Sequence, residues 1–434
     1  MKRNFVRFLI LTFIYLFFTY FIHSTTGDEV WNFGFSYNIV KGAIPYRDFN
    51  MVILPLYSLL FAIPLKLFAN KLFVFHLFNA IFSSFVLVFI NRNNNIFSVI
   101  YLFLLVNLVP VIYGYNYFIM LLLILVLYIE ANNYKYKNEI TGLLLGCILA
   151  TKQNVGLVLF LPYIINSKDK LKSLAYFCFP SILILVYLLI NNALFECIDY
   201  CFLGLKNFKN NFYKPQSVYM CIIFIIFEIL LISYLLIKYK KSKDINYIYL
   251  LVFQVLVYPI FDTYHILISL IPIFYYVSSK IDNKKYYILL SIIIAICYFN
   301  NEYKIYLSNL NNFEYGNLGS SIVDKNIEKE IDFFEKNNKK RIFIFTDDAY
   351  ILKIAMNKEI NKFDLINTGN MGADEKKYIN EIEKICKNKD CIFIANKVPT
   401  RQLSPTIINY VNKNYNNCGE ITVNHYYFCS KKGK

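Results

Sequence analysis

The sequence predicts an α-helical polytopic membrane protein of about eleven spans, with an interfacial helix in its first external loop and a small extracytoplasmic α/β domain at its end. Of the 434 residues, 57% are hydrophobic, and the mean hydropathy is +0.43. A soluble chain of this size is far less apolar. The apolar residues form long runs, and Lys and Arg fall in short connectors between them. From about residue 300 the composition becomes that of a soluble domain.

The basic connectors set the predicted topology. A net charge of +16 would suggest a nucleic-acid partner in a soluble protein. Here the cations lie between apolar runs, which is typical of cytoplasmic loops. We therefore expect no nucleic-acid partner and place every basic connector inside the cell. The predicted protein crosses the cell membrane several times. Its N-terminus lies in the cytoplasm, and its C-terminal domain lies outside the cytoplasm.

The first spans follow from run length and from proline. Phe5 to Ile22 is too long for the core of a signal peptide, so we interpret it as a retained anchor. Met51 to Phe68 carries Pro55, Pro64 and Lys66, and we expect a helix along the outer interface. The other single spans are predicted over Leu72 to Ile90, Ile96 to Ile112, Tyr117 to Glu130, Ser173 to Asn192, Val218 to Ile237, Asn246 to Phe261, Ile266 to Ser279 and Tyr286 to Phe299.

The run Ile140 to Ile165 predicts two helices and not one span. It is too long for one span, and Lys152 lies in its middle. Because both flanks are basic, we expect two short helices that meet outside at Thr151 to Asn154. Lys152 would then lie at or near the external rim.

Strands and helices alternate in the last part of the chain. We divide it into residues 1–300 and 301–434. Helices are predicted over "IVDKNIEKEIDFFEKN", "DEKKYINEIEKICKN" and "LSPTIINYVNKNY", strands over Arg341 to Thr346 and Asp390 to Asn396, and a hairpin at the end. Ser404 is the expected N-cap of the third helix, with Pro405 at its first position. This alternation predicts a small α/β layer domain.

The cysteines of the chain and the paired acids of the C-terminal domain fit structural roles. None of the ten cysteines has the CxxC spacing of a zinc site. Cys418 and Cys429 can staple the terminal hairpin if it is extracellular, and free thiols explain the same pattern. Asp347 and Asp348 are interpreted as a helix N-cap. Nothing in the domain resembles a phosphate loop or a metal cluster.

Ionisable residues from distant segments fall on the predicted external side. They are Asp28, Glu29, Arg47, Asp48, Lys152, Asp262 and His265. Charges at membrane depth are costly, which makes such residues functional-site hypotheses. Asp28 and Glu29 also fit a helix N-cap and an acidic first turn. As a functional pair, their carboxylates would accept a proton from an attacking hydroxyl or hold a metal.

The other candidates have structural alternatives as well. Arg47 and Asp48 also fit an ordinary surface ion pair. Lys152 can snorkel to headgroups or direct its ammonium at a lipid phosphate. Asp262 can cap the following helix, and His265 can form a hydrogen bond within the bundle.

Three segments resemble one family of membrane enzymes. "GDEVWNFGFSYNIVKGAIPYRDFNMVILPLYSLLFAI" is similar to the first external loop of GT-C superfamily glycosyltransferases, especially the mannosyltransferase and aminoarabinose-transferase-like branch. "GLLLGCILATKQNVGLVLFLP" and "YPIFDTYHILISLIP" resemble its lysine segment and its late aspartate and histidine hinge. The similarity covers roughly residues 1–300, in order.

The resemblance implies transfer of a sugar from a polyprenyl-phosphate-linked donor to a glycan, lipid or protein acceptor of the cell envelope, on the outer face of the membrane. Asp28 matches the essential acid of the first loop, and Lys152 matches the lysine near the donor phosphate. Arg47, Asp48, Asp262 and His265 would contribute to substrate binding. Some members carry another acid after the third span, where this chain has "YGYN". A divalent metal therefore stays open and unassigned.

Other classes make different predictions. A flippase or transporter of lipid-linked sugars would show inverted repeats and charges at the bilayer midplane, and the sequence shows neither. A polysaccharide polymerase or ligase uses the same donors, but it would carry a long external loop rich in Arg and His. A non-enzymatic anchor for a displayed domain would leave the rim residues unexplained.

Overall fold

In a computed structural model the chain is described over residues 2–21, 27–90, 113–132, 134–211, 218–257, 263–280, 310–324, 326–398 and 403–432. Within these ranges the protein is mostly helical, with a small sheet near its C-terminal end. Asp262 and the spans predicted over residues 96–112 and 286–299 lie outside the described residues.

The helices of the first part agree with the predicted runs in order. They are α1 Lys2–Phe21, α2 Gly27–Val40, α3 Leu56–Leu67, α4 Leu72–Ile90, α5 Tyr115–Glu130, α6 Lys137–Leu149, α7 Gln153–Asn166, α8 Lys170–Ile190, α9 Leu194–Ile198, α10 Val218–Ser242, α11 Asn246–Phe253 and α12 Thr263–Ser278. The interfacial helix predicted from Met51 begins instead at Leu56, after Pro55.

Length and apolar composition together distinguish several of these helices. Among the described residues, α4 and α8 are long and apolar enough to cross a membrane. The apolar helices α3, α5, α7 and α12 are shorter, at 12 to 16 residues. At about 1.5 Å per residue, sixteen residues cover only about 24 Å of the ~30 Å hydrocarbon core. The described part of the chain is therefore helical, as predicted. Most of its helices, however, are too short to cross the full hydrocarbon core.

Burial differs among the apolar helices. Along α5 most side chains are buried and none is exposed, which suits a helix that is apolar all round. By contrast, Leu171 and Ile190 of α8 and Leu230 of α10 are 82%, 75% and 64% exposed. Exposed apolar residues on a helix face are expected where a protein contacts lipid or a partner.

The predicted break within residues 140–165 is present. Helix α6 ends at Leu149, and α7 starts at Gln153, with Lys152 as its N-cap in an extended conformation. The carbonyl of Ala150 accepts a hydrogen bond from the N–H of Leu56, 3.2 Å away. This contact ties the turn to the start of α3.

The C-terminal part forms the predicted α/β domain. Its elements are β1 Leu310–Tyr315, β2 Gly319–Asp324, α13 Ile327–Lys336, β3 Arg341–Phe345, α14 Ala349–Ala355, α15 Lys376–Asn388, β4 Cys391–Asn396, α16 Pro405–Asn414, β5 Tyr415–Glu420 and β6 His425–Lys431. Strands β1 and β2 form an antiparallel hairpin. The larger sheet has the order β3-β4-β6-β5, with β3 and β4 parallel and the other pairs antiparallel.

Local sequence explains several of these boundaries. The Ser404 hydroxyl accepts a hydrogen bond from the N–H of Ile407, so the predicted cap of α16 is confirmed. The helix predicted from Ile322 starts only at Ile327, because the preceding residues belong to β2. Helix α14 begins directly after Asp348, where a helix N-cap was predicted, and its extent was not predicted.

Two disulfides lie in this domain. Cys418 and Cys429 join β5 to β6, and Cys386 is bonded to Cys391. The first bond is one of the two alternatives that the spacing left open, and the second was not foreseen. Among the described residues, the free cysteines all lie in the helical part: Cys147, Cys178, Cys197 and Cys201.

The domain packs on residues 27–55 and on the segment after α8. Asn38 of α2 forms two hydrogen bonds with the backbone of Ile360, at 2.9 and 3.2 Å. The Tyr378 hydroxyl lies 2.9 Å from Asn50 Oδ1 and 3.0 Å from the Tyr200 hydroxyl. Residues 27–55, the segment around residue 200 and the C-terminal domain therefore lie on the same side of the helical part.

Candidate functional site

The site begins at the first turn of α2. Asp28 is exposed, whereas Glu29 is 3% exposed. Successive residues of a helix point about 100° apart, so the two neighbouring carboxylates on α2 can lie in different environments. Asp28 lies on the open side of the turn, and Glu29 faces the bundle.

Glu29 is held by a buried histidine. Its carboxylate contacts Nε2 of His76 on α4, and both side chains are at most 4% exposed. The His76 ring stacks on Tyr113, with centroids 4.2 Å apart. The Tyr113 carbonyl in turn accepts a hydrogen bond from Tyr57 of α3 at 2.9 Å. Glu29 therefore joins α2 to α4 and to the turn before α5.

Lys152 and His265 meet through Asn116 at the start of α5. Lys152 Nζ donates to Asn116 Oδ1 over 2.9 Å, and Asn116 Nδ2 lies 3.2 Å from His265 Nε2. An ammonium only donates, so the amide nitrogen of Asn116 must face His265. Nε2 of His265 then accepts this hydrogen bond, and the ring proton lies on Nδ1.

Asn32 connects this group to the turn that carries Asp28. Asn32 Nδ2 donates to the Asp28 carbonyl at 2.7 Å, and Asn32 Oδ1 accepts from the N–H of Tyr115 at 3.3 Å. The Lys152 ammonium lies 5.6 Å from the centre of the Tyr115 ring, a cation–π distance. The first turn of α2, the start of α5, the N-cap of α7 and α12 thus meet in one place.

Arg47 and Asp48 lie elsewhere on the same loop. Arg47 donates two parallel hydrogen bonds of 2.9 Å to Asp48, and a third contact of 3.4 Å reaches the Asn191 carbonyl. Asp48 also accepts from the N–H of Ile44 at 2.8 Å. The hydrogen bond from Arg47 lowers the pKa of Asp48. The pair closes its own turn and does not contact Asn116.

Sequence reasoning identified Lys152 and His265 but missed the residues that connect them. Asn116 was noted only as the residue that replaces an acid in "YGYN", and nothing singled out Asn32 or Tyr115. The signal was weak, because an asparagine at a helix start is usually a cap or turn residue. Asp262 was predicted beside His265 and lies outside the described residues.

A potential metal group is located in the C-terminal domain. Within the described residues, one group of at least three His, Cys, Asp or Glu side chains can hold an ion: Glu330, Asp348 and His425, with ligand atoms within 4.8 Å of one another. This corrects the interpretation that the domain has no such cluster. Asp348 does occupy the N-cap position of α14, but its carboxylate makes no capping hydrogen bond and accepts from the Thr346 hydroxyl at 2.5 Å.

Comparisons with known proteins add little to this geometry. No family model matches the chain, and no curated protein matches it. Among solved structures, the chain is similar to the crystal structure of the Archaeoglobus fulgidus oligosaccharyltransferase in complex with Zn and sulfate. The TM-score is 0.42 and the identity 11%, over 90% of this chain and 67% of that chain. At this level of similarity, function has to be argued from the described side chains.

Proposed function

We propose that the chain is a membrane glycosyltransferase. It transfers a sugar from a polyprenyl-phosphate-linked donor to a glycan, lipid or protein acceptor at the outer face of the cell membrane. The observation that carries the proposal is the meeting of Lys152 and His265 at Asn116, linked through Tyr115 and Asn32 to the turn of Asp28.

Lys152 is assigned to the phosphate of the donor. Its ammonium sits at the break between α6 and α7 and is oriented by Asn116 and the Tyr115 ring. A cation held in this way is ready to stabilise negative charge as it develops on a departing phosphate. His265, whose Nε2 accepts from Asn116, fixes the direction of that amide.

Asp28 is assigned as the general base. The acceptor hydroxyl attacks the anomeric carbon and gives its proton to the Asp28 carboxylate. The bond from that carbon to the phosphate oxygen breaks with its electron pair, and polyprenyl phosphate leaves. The transition state has oxocarbenium character, and direct attack inverts the anomeric centre. Glu29, predicted as a catalytic partner, acts in this scheme by anchoring the first turn of α2 through His76.

The remaining predicted contacts stay predictions. Arg47 and Asp48 are engaged with each other, so a substrate group would meet the guanidinium edge that now contacts Asn191. Asp262 keeps its proposed role beside His265. No metal-ligand group of three is found near Asp28 among the described residues, and the reaction above is written for the side chains alone.

Membrane placement rests on two features of the chain. The exposed apolar faces of α8 and α10 suit membrane lipid and the isoprenoid tail of the donor. The disulfides of the C-terminal domain suit an oxidising compartment outside the cytoplasm. Because this domain packs on the first external loop, it would cover the site from outside and help to select the acceptor.

A donor panel tests the proposal. Purified full-length protein is incubated with polyprenyl-phosphate-linked hexoses and pentoses, and released polyprenyl phosphate is measured with and without candidate acceptors. We expect acceptor-dependent release from one donor. Movement of a donor across liposomes without release would support the flippase instead. Release together with extension of a polysaccharide would support the polymerase or ligase.

A further inference from the structure

A cavity of about 370 Å³ lies in the C-terminal domain, apart from the Asp28 site. It lies where the parallel strands β3 and β4 end and where β6, antiparallel to β4, begins. Asp347 and Asp348 follow β3, Asn396 ends β4, and His425 starts β6, and all four line the cavity. The topology of the sheet thus brings acidic, amide and imidazole groups from three strands to one edge.

His425 is oriented from behind by a buried acid. Its Nδ1 contacts Glu330 Oε1, and both side chains are at most 7% exposed. Since Glu330 Oε1 also accepts from the Thr422 hydroxyl at 3.3 Å, it faces two donors, and Nδ1 carries the proton. The other ring nitrogen, Nε2, is directed towards Asp348.

The gap between His425 and Asp348 fits a bridging ion. Nε2 of His425 and Oδ1 of Asp348 are 3.8 Å apart, which is too long for a hydrogen bond. Two ligands of a tetrahedral Zn²⁺, each bound at about 2.0 to 2.1 Å, lie about 3.3 Å from each other. A small inward movement of Asp348, whose side chain is 38% exposed, gives that separation.

Two buried oxygens at the cluster lack a donor. Asn396 donates through Nδ2 to Asp347 Oδ2 at 3.3 Å, yet its own Oδ1 is buried with no hydrogen-bond partner among the described residues. The same is true of Glu330 Oε2. Buried acceptors of this kind are rare and call for an ion or a water as partner. The lysine of the cavity lining, Lys397, forms an ion pair with Glu420 at 2.7 Å.

From these contacts we infer that the cavity binds a divalent transition-metal cation of the Zn²⁺ class. His425 Nε2 and the Asp348 carboxylate are ligands, and the Asn396 amide oxygen completes the protein side. Glu330 is a positioning residue, because a carboxylate on the far nitrogen fixes the ring of a metal-bound histidine. A mixed imidazole and carboxylate set favours Zn²⁺ over Mg²⁺ or Ca²⁺. The remaining coordination position opens on the cavity and fits a water or an anionic group.

Metal titration of the full-length protein tests this inference. Chelator-treated protein in detergent is titrated with Zn²⁺ against a chromophoric chelator, and the result expected is one Zn²⁺ per chain. Asp348→Asn removes a ligand charge and should weaken binding by at least about tenfold. Glu330→Gln should weaken it by about 10- to 100-fold through the ring. The matched control is Asp332→Asn, at an exposed carboxylate on the same helix as Glu330, and it should bind as the parent does.

Two results would overturn the inference. One is a parent protein without a saturable Zn²⁺ site, and the other is an Asp348→Asn variant that binds Zn²⁺ as tightly as the parent. Asp348 is partly exposed, so its substitution leaves the domain folded, and circular dichroism checks this. If Glu330→Gln fails to fold, Zn²⁺ binding by Asp348→Asn still tests the metal site. None of these measurements depends on glycosyl transfer, so the proposed function and the metal site can fail separately.

Discussion

Asp28 and Glu29 differ in what surrounds them. Glu29 and its partner His76 are buried, whereas Asp28 is exposed. Removing one partner of a buried polar contact leaves the other polar group buried without that partner, whereas removing an exposed carboxylate does not. Substitution of Glu29 should therefore affect mainly stability, and substitution of Asp28 should affect mainly catalysis.

Glu29→Ala should destabilise the protein by about 1–3 kcal/mol, because the buried His76 loses its partner. Asp28→Asn is the matched control at the adjacent, exposed position and should stay within about 0.5 kcal/mol of the parent. Thermal unfolding of both variants in detergent measures the difference. Equal unfolding midpoints for the two variants would contradict the assigned orientations.

Asn116 links Lys152 to His265, because its side chain forms a hydrogen bond with each of them. Asn116→Leu keeps the size of the side chain but removes both hydrogen bonds, so the ammonium should lose its direction. We expect turnover to fall by about 100-fold, since small misplacements of a charged group carry costs of this order.

The control for this substitution is Asn132→Leu. Asn132 follows the other end of α5 and donates to the Tyr128 carbonyl. Its loss should leave sugar transfer close to that of the parent. Similar losses in both variants would mean that Asn116 acts through the helix and not through Lys152.

At the scale of elements, Gly34 sets how closely α2 packs against the C-terminal domain. A Cβ at this position would lie 2.6 Å from a ring carbon of Tyr350 on α14. In an isolated helix, alanine is more favourable than glycine by up to about 1 kcal/mol. Here the close contact outweighs that preference.

Gly34→Ala should therefore lower the unfolding midpoint and make the C-terminal domain easier to cleave in limited proteolysis. Combination with Tyr350→Leu removes the ring carbon, so the double variant should lose less than the sum of the two single variants. A more stable Gly34→Ala protein would show that the two elements are not packed this closely.

Elements with local signals were predicted well. The break at Lys152 followed from a charge in an overlong apolar run, and the start of α16 followed from Ser404 and Pro405. Hairpin β1–β2 was missed, because "LNNFEYGNLGSSIVD" lacks clear apolar alternation. The pairing of Glu330 with His425 was also missed, since it depends on how the sheet brings distant residues together.

At the scale of the whole molecule, disulfides and free thiols are divided between the two parts. Two disulfides lie in the C-terminal domain, and the described free cysteines lie in the helical part. This division suits a chain whose C-terminal domain is exported. It predicts that protein taken from cells carries both bonds.

Alkylation under denaturing, non-reducing conditions checks this prediction by mass spectrometry. We expect four protected residues, namely Cys386, Cys391, Cys418 and Cys429. Reduction before alkylation should expose all ten cysteines of the chain. Full alkylation without a reductant would place the domain in a reducing compartment.

In the proposed mechanism, the Asp28 carboxylate takes the acceptor proton during sugar transfer. The most direct measurement is single-turnover release of polyprenyl phosphate by Asp28→Asn at saturating donor, together with donor affinity. Loss of a general base costs about 10² to 10⁴ in rate, so we expect slower release of that order with donor binding unchanged. Release at the parental rate would contradict this role of Asp28.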